Sequence, residues 1–346
     1  MINLEKEIRE QPGALARVID SNLPVVREIV AKAKAAHVHH VYFAARGTSD
    51  HACIYAQYLF GIFAGIPCTL ATPSVFTKYG AHVDLSDMLV VGVSQSGKAE
   101  DVLAVLESAK KDGAITVAVT NNTDSPMAKA AAYHLFCGCG PETSIAATKT
   151  FTTQMTILGM MAAVWAENDQ LLGELRGVSA KAQEMLDTKF DDVMAFARKY
   201  QNIPGAILLG RGMAYSIALE GALKMLETNK IAMKGYPISD FHHGPIAQVK
   251  PGDLVFVLAP KGKTTDDAKE ICRKLLAVKA DVLVLTDDAS AAIEGTMPFV
   301  IPSAGSEFTY PQIAVLFFQL CACCMTIVRG IDPDVAGVIN KITITK

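Results

Sequence analysis

The sequence predicts an α/β fold with two tandem domains, each a doubly wound parallel sheet, after a helical N-terminal lead-in and before a short C-terminal tail. Apolar runs of strand length alternate with helix-length segments from about His40 onwards, and this alternation is typical of parallel sheets with helices on both faces. Three strand motifs then recur at an offset of 165 or 166 residues. Three matches in register indicate a duplicated domain, and 346 residues are enough for two hydrophobic cores.

The order of these patterns along the chain gives the expected boundaries. The first residues carry helical patterns, which we expect Pro12 and Pro24 to interrupt. A charged, weakly apolar helical segment separates the two sheets. We therefore expect a helical lead-in over 1–36, a first domain over 37–170, a helical linker over 171–199, a second domain over 200–330 and a tail over 331–346.

The strands of the first domain are short apolar runs, and a helix follows them from Thr148 to about Glu167. The predicted strands are 41–45, 69–71, 88–93 and 115–120. The recurring motifs are Ala44–Gly47 with Ile207–Gly212, Asp87–Ser94 with Asp253–Pro260, and Thr116–Asn122 with Val282–Asp288.

A polar loop, Ser94-Gln95-Ser96-Gly97, separates the strand at 88–93 from a helix whose apolar spacing resumes at Val102. Hydroxyls and free amides at the start of a helix suit an anion such as a phosphate ester. The alternative is an ordinary capped turn, because serine is a common N-cap residue. The second copy lacks these hydroxyls, since it has Pro260-Lys261-Gly262 at this loop and Met213-Ala214 where the first copy has Thr48-Ser49. We therefore expect the phosphate site in the first domain.

Glu220, Lys224 and Glu227 follow the second-copy motif at spacings of four and three, which places all three on one helix face. The alternative interpretation is a solvated ladder of ion pairs. The neighbouring residues are apolar enough for a buried face, and a buried carboxylate beside an ammonium is a candidate general base.

Two further segments carry residues suited to chemistry. Asp240-Phe-His-His-Gly-Pro245 contains a histidine pair, and histidine exchanges protons near neutral pH, although such a pair is more often structural or at the surface. The tail contains Lys341 and ends in Lys346. A tail lysine is usually solubilising, but it forms a Schiff base with an open-chain sugar carbonyl if the tail covers the phosphate loop.

Composition limits the classes of partner. The formal net charge is −3, with no Lys/Arg stripe, so neither nucleic acid nor a membrane surface is expected. The amino terminus has no apolar signal segment, and the later apolar stretches contain polar residues, so we expect a cytoplasmic protein. Cys137-Gly-Cys139 and Cys321-Ala-Cys323-Cys324 have no partners at zinc spacing, so no metal and no cofactor are expected.

Taken together, these motifs resemble the SIS (sugar isomerase) family, and within it the isomerase part of the glucosamine-6-phosphate synthases. The resemblance covers essentially the whole chain and implies the flavodoxin-like SIS fold. The motifs that carry it are Glu7–Pro12, Arg46–Ser49, Ile66–Cys68, Ser94–Gly97, Ala147–Gln154, Ala218–Lys224, His243–Pro245 and Lys341.

The resemblance also implies roles for individual residues. Glu227 corresponds to the base that moves a proton between C1 and C2, His243 to a ring-opening residue contributed across a dimer interface, and Lys341 to a Schiff-base lysine. A homodimer or larger homo-oligomer that binds a 6-phosphosugar is therefore expected. The implied substrate-binding residues are Thr48, Ser49, Ser94, Gln95, Ser96 and Lys224.

Three departures from the synthase pattern refine the expected function. We expect no glutaminase domain in this protein, Ala99 stands where the synthase has a phosphate-binding threonine, and Ala147 stands where it has a serine. The resemblance therefore implies an amino-sugar-phosphate deaminase or fructosamine-6-phosphate deglycase. The alternatives are an aldose–ketose isomerase or the isomerase subunit of an aminotransferase, and, in another class, a non-catalytic phosphosugar sensor. The sequence carries no helix-turn-helix segment of the kind such a regulator would need.

Overall fold

The computed structural model describes residues 2–335, which divide into two compact units. Residues 13–143 and 147–176 belong to the first unit, and residues 2–12, 144–146 and 177–335 form the second. Each unit contains one five-stranded sheet. We describe the two units separately.

Helices and strands alternate along the chain as the sequence predicts. The helices are α1 (Asn3–Arg9), α2 (Gln11–Ala35), α3 (Thr48–Leu59), α4 (Ser74–Thr77), α5 (Glu100–Lys111), α6 (Pro126–Ala130), α7 (Lys149–Trp165), α8 (Asp169–Tyr200), α9 (Ala214–Asn229), α10 (Ile238–Phe241), α11 (Thr265–Ala277) and α12 (Tyr310–Arg329). The strands are β1 (Val41–Ala44), β2 (Cys68–Leu70), β3 (Leu89–Ser94), β4 (Ile115–Thr120), β5 (Tyr133–Phe136), β6 (Gly205–Gly210), β7 (Ala232–Pro237), β8 (Leu254–Leu258), β9 (Asp281–Thr286) and β10 (Met297–Val300).

The sheet of the first unit has the strand order β2-β1-β3-β4-β5, and all its pairs are parallel. The strands β3 and β4 are apolar and buried apart from Ser94, because helices cover both faces of such a sheet. One face packs against α5 through Val102, Val105 and Leu106. The strand order reverses between β1 and β3, and this switch point is where α/β sheets of this order bind ligands.

The sheet of the second unit repeats this topology strand for strand. Its order is β10-β9-β8-β6-β7, again with all pairs parallel. Taken from its other edge, this order is β7-β6-β8-β9-β10. It is the order of the first sheet, with β6 to β10 in the places of β1 to β5. The duplicated α/β fold expected from the recurring motifs is therefore confirmed.

The expected interruption of the first helices by proline is confirmed at Pro12, where α1 ends at Arg9 and α2 begins at Gln11, and is wrong at Pro24. Pro12 is the second residue of α2, where its missing N–H has no helical partner. Pro24 lies inside α2, and both Pro24 and Asp20, four residues earlier, are exposed. The carbonyl that loses its hydrogen bond therefore faces water, and the buried face with Val26 and Ile29 stays continuous.

Helix α12 is long and apolar enough to cross a membrane by length and composition, but 89% of its most apolar window is buried inside the protein. It packs against α9 and α1. Burial raises the pKa of its three thiols, Cys321, Cys323 and Cys324, so they remain protonated. We interpret α12 as a core helix of the second unit.

Candidate functional site

The first unit brings two hydroxyl-bearing loops together at the switch point of its sheet. Strands β1 and β3 are parallel neighbours, with Ala44 opposite Gly92. The loops that follow them therefore leave the same sheet edge side by side. Thr48 begins α3 and is half-buried, and Ser49 is buried in its first turn.

The second of these loops runs from Ser94 to Ala99. The Oγ of Ser94 accepts a hydrogen bond from the Gly97 amide at 3.2 Å, and the Oγ of Ser96 accepts one from the Lys98 amide at 3.3 Å. Both hydroxyls act as acceptors in these bonds, so their O–H groups are free to donate to a bound anion. Helix α5 starts after Ala99 without a side-chain cap.

Gly97 fixes the path of this loop. Its φ is +64°, and a Cβ at this position would lie 2.5 Å from the Cβ of Ser125. Only glycine satisfies both conditions. The Gly97 carbonyl also accepts from the Met127 amide, and the Gln95 carbonyl accepts from the Asn121 amide at 3.0 Å. The loop is therefore held by the segment that follows β4.

Helix α9 of the second unit carries a buried ladder of charged side chains. The Nζ of Lys224 lies 3.3 Å from Oε1 of Glu220 and 2.6 Å from Oε2 of Glu227. Glu220 and Lys224 are buried, whereas the Glu227 side chain is 18% exposed. The shared helix face expected from the spacing is confirmed, and the alternative of a solvated ladder is wrong.

The electrostatics of this ladder favour a charged Lys224. Burial alone lowers the pKa of Lys224, but the adjacent Glu220 and Glu227 carboxylates outweigh it, so that the pKa lies above its ordinary value. Lys224 is therefore an ammonium between two carboxylates. Of the three groups, only Glu227 is accessible from outside the helix face, so Glu227 is the group that can exchange a proton with a ligand.

His243 lies in the exposed turn after α10. Its amide donates to the carbonyl of Asp240 at 2.9 Å, and Gly244 follows with a φ of +136°. The ring of the adjacent His242 lies 3.5 Å from Nζ of Lys274. No group of three or more metal-ligating side chains occurs among residues 2–335.

Comparison with known proteins fits this geometry. The sequence model of the SIS domain matches residues 35–164 and 200–316, which carry the two sheets. The chain belongs to the SIS family. Each matched segment contains one of the groups described above, with the hydroxyl-bearing loops in the first SIS domain and the α9 ladder in the second.

Relatives of this SIS protein include the glutamine–fructose-6-phosphate aminotransferase (isomerizing) of Aquifex aeolicus, 34% identical over 95% of this chain and 55% of the relative. The chain thus spans about half the length of the curated relatives it matches. A protein of Silicibacter pomeroyi DSS-3 with a provisional assignment as a phosphosugar isomerase is 31% identical with a TM-score of 0.87, covering 96% of this chain and all of that one. The C-terminal domain of the Francisella tularensis glucosamine-fructose-6-phosphate aminotransferase is 25% identical with a TM-score of 0.87, covering 96% and 97%.

Glu142 of the first SIS domain is a buried carboxylate that the sequence analysis did not single out. Its Oε1 accepts from the amides of Thr148 and Thr150 at 2.9 and 3.1 Å, and its Oε2 accepts from the Thr150 hydroxyl at 2.7 Å. This carboxylate occupies amides at the start of α7, beside Ala147. We find no local sequence signal for it, because Glu142 precedes its first partner, Thr148, by six residues.

The expected site residues of this SIS protein thus lie in two groups. Ser94 and Ser96 share one loop, with Gln95 between them and with Thr48 and Ser49 on the loop beside it. Lys224 and Glu227 are in contact on α9. Lys341 lies outside the described residues, and its role stays a prediction from the sequence.

Proposed function

We propose that this SIS protein is an enzyme that acts on a 6-phosphorylated amino sugar or fructosamine. It transfers a proton between C1 and C2 and breaks the bond between the sugar carbon and nitrogen. The observation that carries the proposal is the α9 ladder, in which the buried ammonium of Lys224 contacts an accessible carboxyl group, that of Glu227, at 2.6 Å. A carboxylate held in this way is suited to take a proton from carbon next to a carbonyl or imine.

The proposed chemistry assigns a separate task to each group. The hydroxyls of Ser94, Ser96 and Thr48 bind the phosphate, and His243 opens the sugar ring. Glu227 then removes the proton from one of the two carbons and returns it to the other through an enediol or, with nitrogen attached, an enamine. Hydrolysis of the resulting imine releases ammonia or an amine and leaves a phosphosugar.

The names of the relatives support a phosphosugar substrate and chemistry at a bond between sugar carbon and nitrogen. The Aquifex aeolicus and Francisella tularensis proteins are aminotransferases that act on fructose 6-phosphate by name. A second candidate function is an aldose–ketose isomerase, because the Glu227–Lys224 pair is as well suited to proton transfer without nitrogen. We propose a homo-oligomer, at least a dimer, as the active form and expect no cofactor.

A panel of substrates tests the proposal. The protein is incubated separately with glucosamine 6-phosphate, fructose 6-phosphate with and without ammonia, and fructosyl-amino-acid 6-phosphates, and the products are separated by chromatography, which resolves isomers of equal mass, and identified by mass. Release of ammonia or amine that is lost in Glu227→Gln supports the proposal. Interconversion of fructose 6-phosphate and glucose 6-phosphate alone would establish the isomerase instead. Binding of these compounds without any turnover would indicate a sensor.

A further inference from the structure

An ion pair ties the two hydroxyl-bearing loops of the first SIS domain together. Arg46 follows β1 and precedes Gly47, and its Nε donates to Oδ2 of Asp101 at 2.5 Å. Asp101 lies in the first turn of α5, and its other oxygen accepts from the Val102 amide at 2.9 Å. The Asp101 side chain is only 2% exposed, whereas that of Arg46 is 48% exposed.

This pairing leaves most of the guanidinium available. A guanidinium carries five N–H groups. Among the described residues, only the N–H at Nε of Arg46 has a hydrogen-bond acceptor, which is Asp101. Its four terminal N–H groups are therefore free to bind a ligand. They lie close to the two loops, because the ion pair joins the residue before Gly47-Thr48-Ser49 to the helix that begins just after the loop Ser94–Ala99.

The second SIS domain provides an internal comparison. Arg211 and Asp267 stand 165 and 166 residues after Arg46 and Asp101, at the same places in the repeated topology. Their ion pair is looser, with 3.7 Å between Nε and Oδ1 and with side chains 39% and 43% exposed. This domain also lacks the loop hydroxyls. The tight pair with a buried carboxylate therefore occurs together with the hydroxyls and is not a requirement of the fold.

We propose that Arg46 binds the phosphate of the substrate through its terminal nitrogens, and that Asp101 is a positioning residue that fixes the guanidinium plane. The inference rests on the proposed function, because it takes a 6-phosphosugar as the ligand of these loops. Arginine forms paired, charge-assisted hydrogen bonds to phosphate oxygens. Arg46 supplies donors next to a helix start where Ala99 has no hydroxyl to offer.

The buried partner determines what Arg46 contributes. Asp101 neutralises the charge of the guanidinium, so the long-range attraction of the pair for an anion is small. The contribution comes from donors held in a fixed orientation. Lysine provides a charge but no planar fork, so Arg46→Lys is expected to recover only part of the affinity that Arg46→Gln loses.

The test measures binding of sorbitol 6-phosphate, an unreactive open-chain hexitol phosphate, to the full chain by titration calorimetry. We expect Arg46→Gln to weaken binding roughly 10- to 100-fold, the range for a lost hydrogen bond to a charged group. Arg211→Gln, the matched change in the second domain, is expected to leave binding within about twofold, as for surface positions away from a ligand. Unphosphorylated sorbitol shows whether the loss depends on phosphate.

A double-mutant cycle tests the role of Asp101. If Asp101 acts by positioning Arg46, Asp101→Asn weakens binding in the wild-type background but has little further effect in Arg46→Gln. Equal losses in both backgrounds would show that Asp101 only supports the fold. Circular dichroism and thermal unfolding establish that each variant is folded. If Arg46→Gln does not fold, Arg46→Lys replaces it in the cycle.

The outcomes separate this inference from the proposed function. If Ser94→Ala/Ser96→Ala loses affinity for sorbitol 6-phosphate while Arg46→Gln and Arg46→Lys bind as the wild type does, Arg46 is not a phosphate ligand and the loop site stands. If the wild-type protein binds neither sorbitol 6-phosphate nor glucosamine 6-phosphate, the phosphate site itself is wrong, and the inference about Arg46 is overturned with it.

Discussion

Lys224 and Glu227 form a direct ion pair on α9, with 2.6 Å between Nζ and Oε2. The same ammonium lies 3.3 Å from Glu220, whose side chain is fully buried. One positive charge therefore compensates two carboxylates of different exposure. Lys224 thus helps to balance the charge of Glu220 and to orient Glu227.

The first prediction concerns stability. Lys224→Met keeps a chain of similar size but removes the ammonium that lies 3.3 Å from the buried Glu220 carboxylate, so the free energy of unfolding is expected to fall by about 3–5 kcal/mol. Urea unfolding followed by circular dichroism measures this. Lys111→Met, at an exposed lysine in the last turn of α5, is the control and should change stability little. The double variant Lys224→Met/Glu220→Gln should regain part of the loss, and a double variant no more stable than Lys224→Met would contradict this account.

The second prediction is the pH dependence of the same pair. The folded-state pKa of Lys224 is raised above its ordinary value of 10.5 by the two carboxylates, despite burial. The stabilisation is therefore complete below pH 10.5 and disappears as the pH rises through the higher folded-state pKa. The difference in unfolding free energy between wild type and Lys224→Met should be constant from about pH 8 to 10 and shrink above that range. A difference that does not shrink above pH 10.5 would contradict this account.

The third prediction separates catalysis from binding. Glu227→Gln keeps the size and a hydrogen-bonding group but cannot accept the carbon-bound proton. We expect kcat to fall by about 10²- to 10⁴-fold with little change in KM, the pattern of an interaction used in the transition state. Steady-state kinetics on the best substrate of the panel measure both constants. Glu184→Gln on α8 is the control, and an equal loss of kcat in both variants would remove Glu227 from the mechanism.

The fold could be predicted from the sequence where local patterns are strong. The central strands β1, β3, β4, β6, β8 and β9 are apolar runs that helices cover on both faces, and all were predicted. The edge strands β7 and β10 contain glycine, lysine or proline, as in Ala232–Pro237 and Met297–Val300. Proline is tolerated at a sheet edge because an edge strand leaves N–H groups unpaired. Whether these segments form strands depends on pairing with a neighbouring strand, and a local sequence pattern contains no information about that neighbour.

The same distinction applies to the candidate site. The helical spacing of Glu220, Lys224 and Glu227 was sufficient to place them on one face, because residues three and four apart are neighbours on any helix. The Arg46–Asp101 pair joins residues 55 positions apart. Such a contact depends on β1 and β3 being adjacent in the sheet, so it becomes visible only once the strand order is known.

The fourth prediction concerns assembly. If His243 acts in the site of a neighbouring subunit, as the family resemblance implies, the active form is at least a dimer. Glu227→Gln and His243→Ala are each expected to be inactive. Mixing the two under conditions of subunit exchange should restore part of the activity, because some mixed sites contain both native residues. Exchange is verified by mass spectrometry of differently labelled chains, and exchange without any recovery would favour a site built within one subunit.

The last prediction separates cleavage of the carbon–nitrogen bond from simple isomerisation. Exchange between a carbonyl and an amine can proceed through a Schiff base on a lysine, whereas proton transfer between C1 and C2 needs only the base. Lys341→Ala should therefore impair release of ammonia or amine far more than interconversion of fructose 6-phosphate and glucose 6-phosphate. Lys346→Ala, which removes the other tail lysine, is the matched control. Borohydride reduction in the presence of substrate, followed by peptide mapping, should find a sugar adduct on Lys341. If no adduct forms and Lys341→Ala cleaves every aminated substrate at the wild-type rate, the lysine is only a surface charge and the reaction depends on Glu227 and His243.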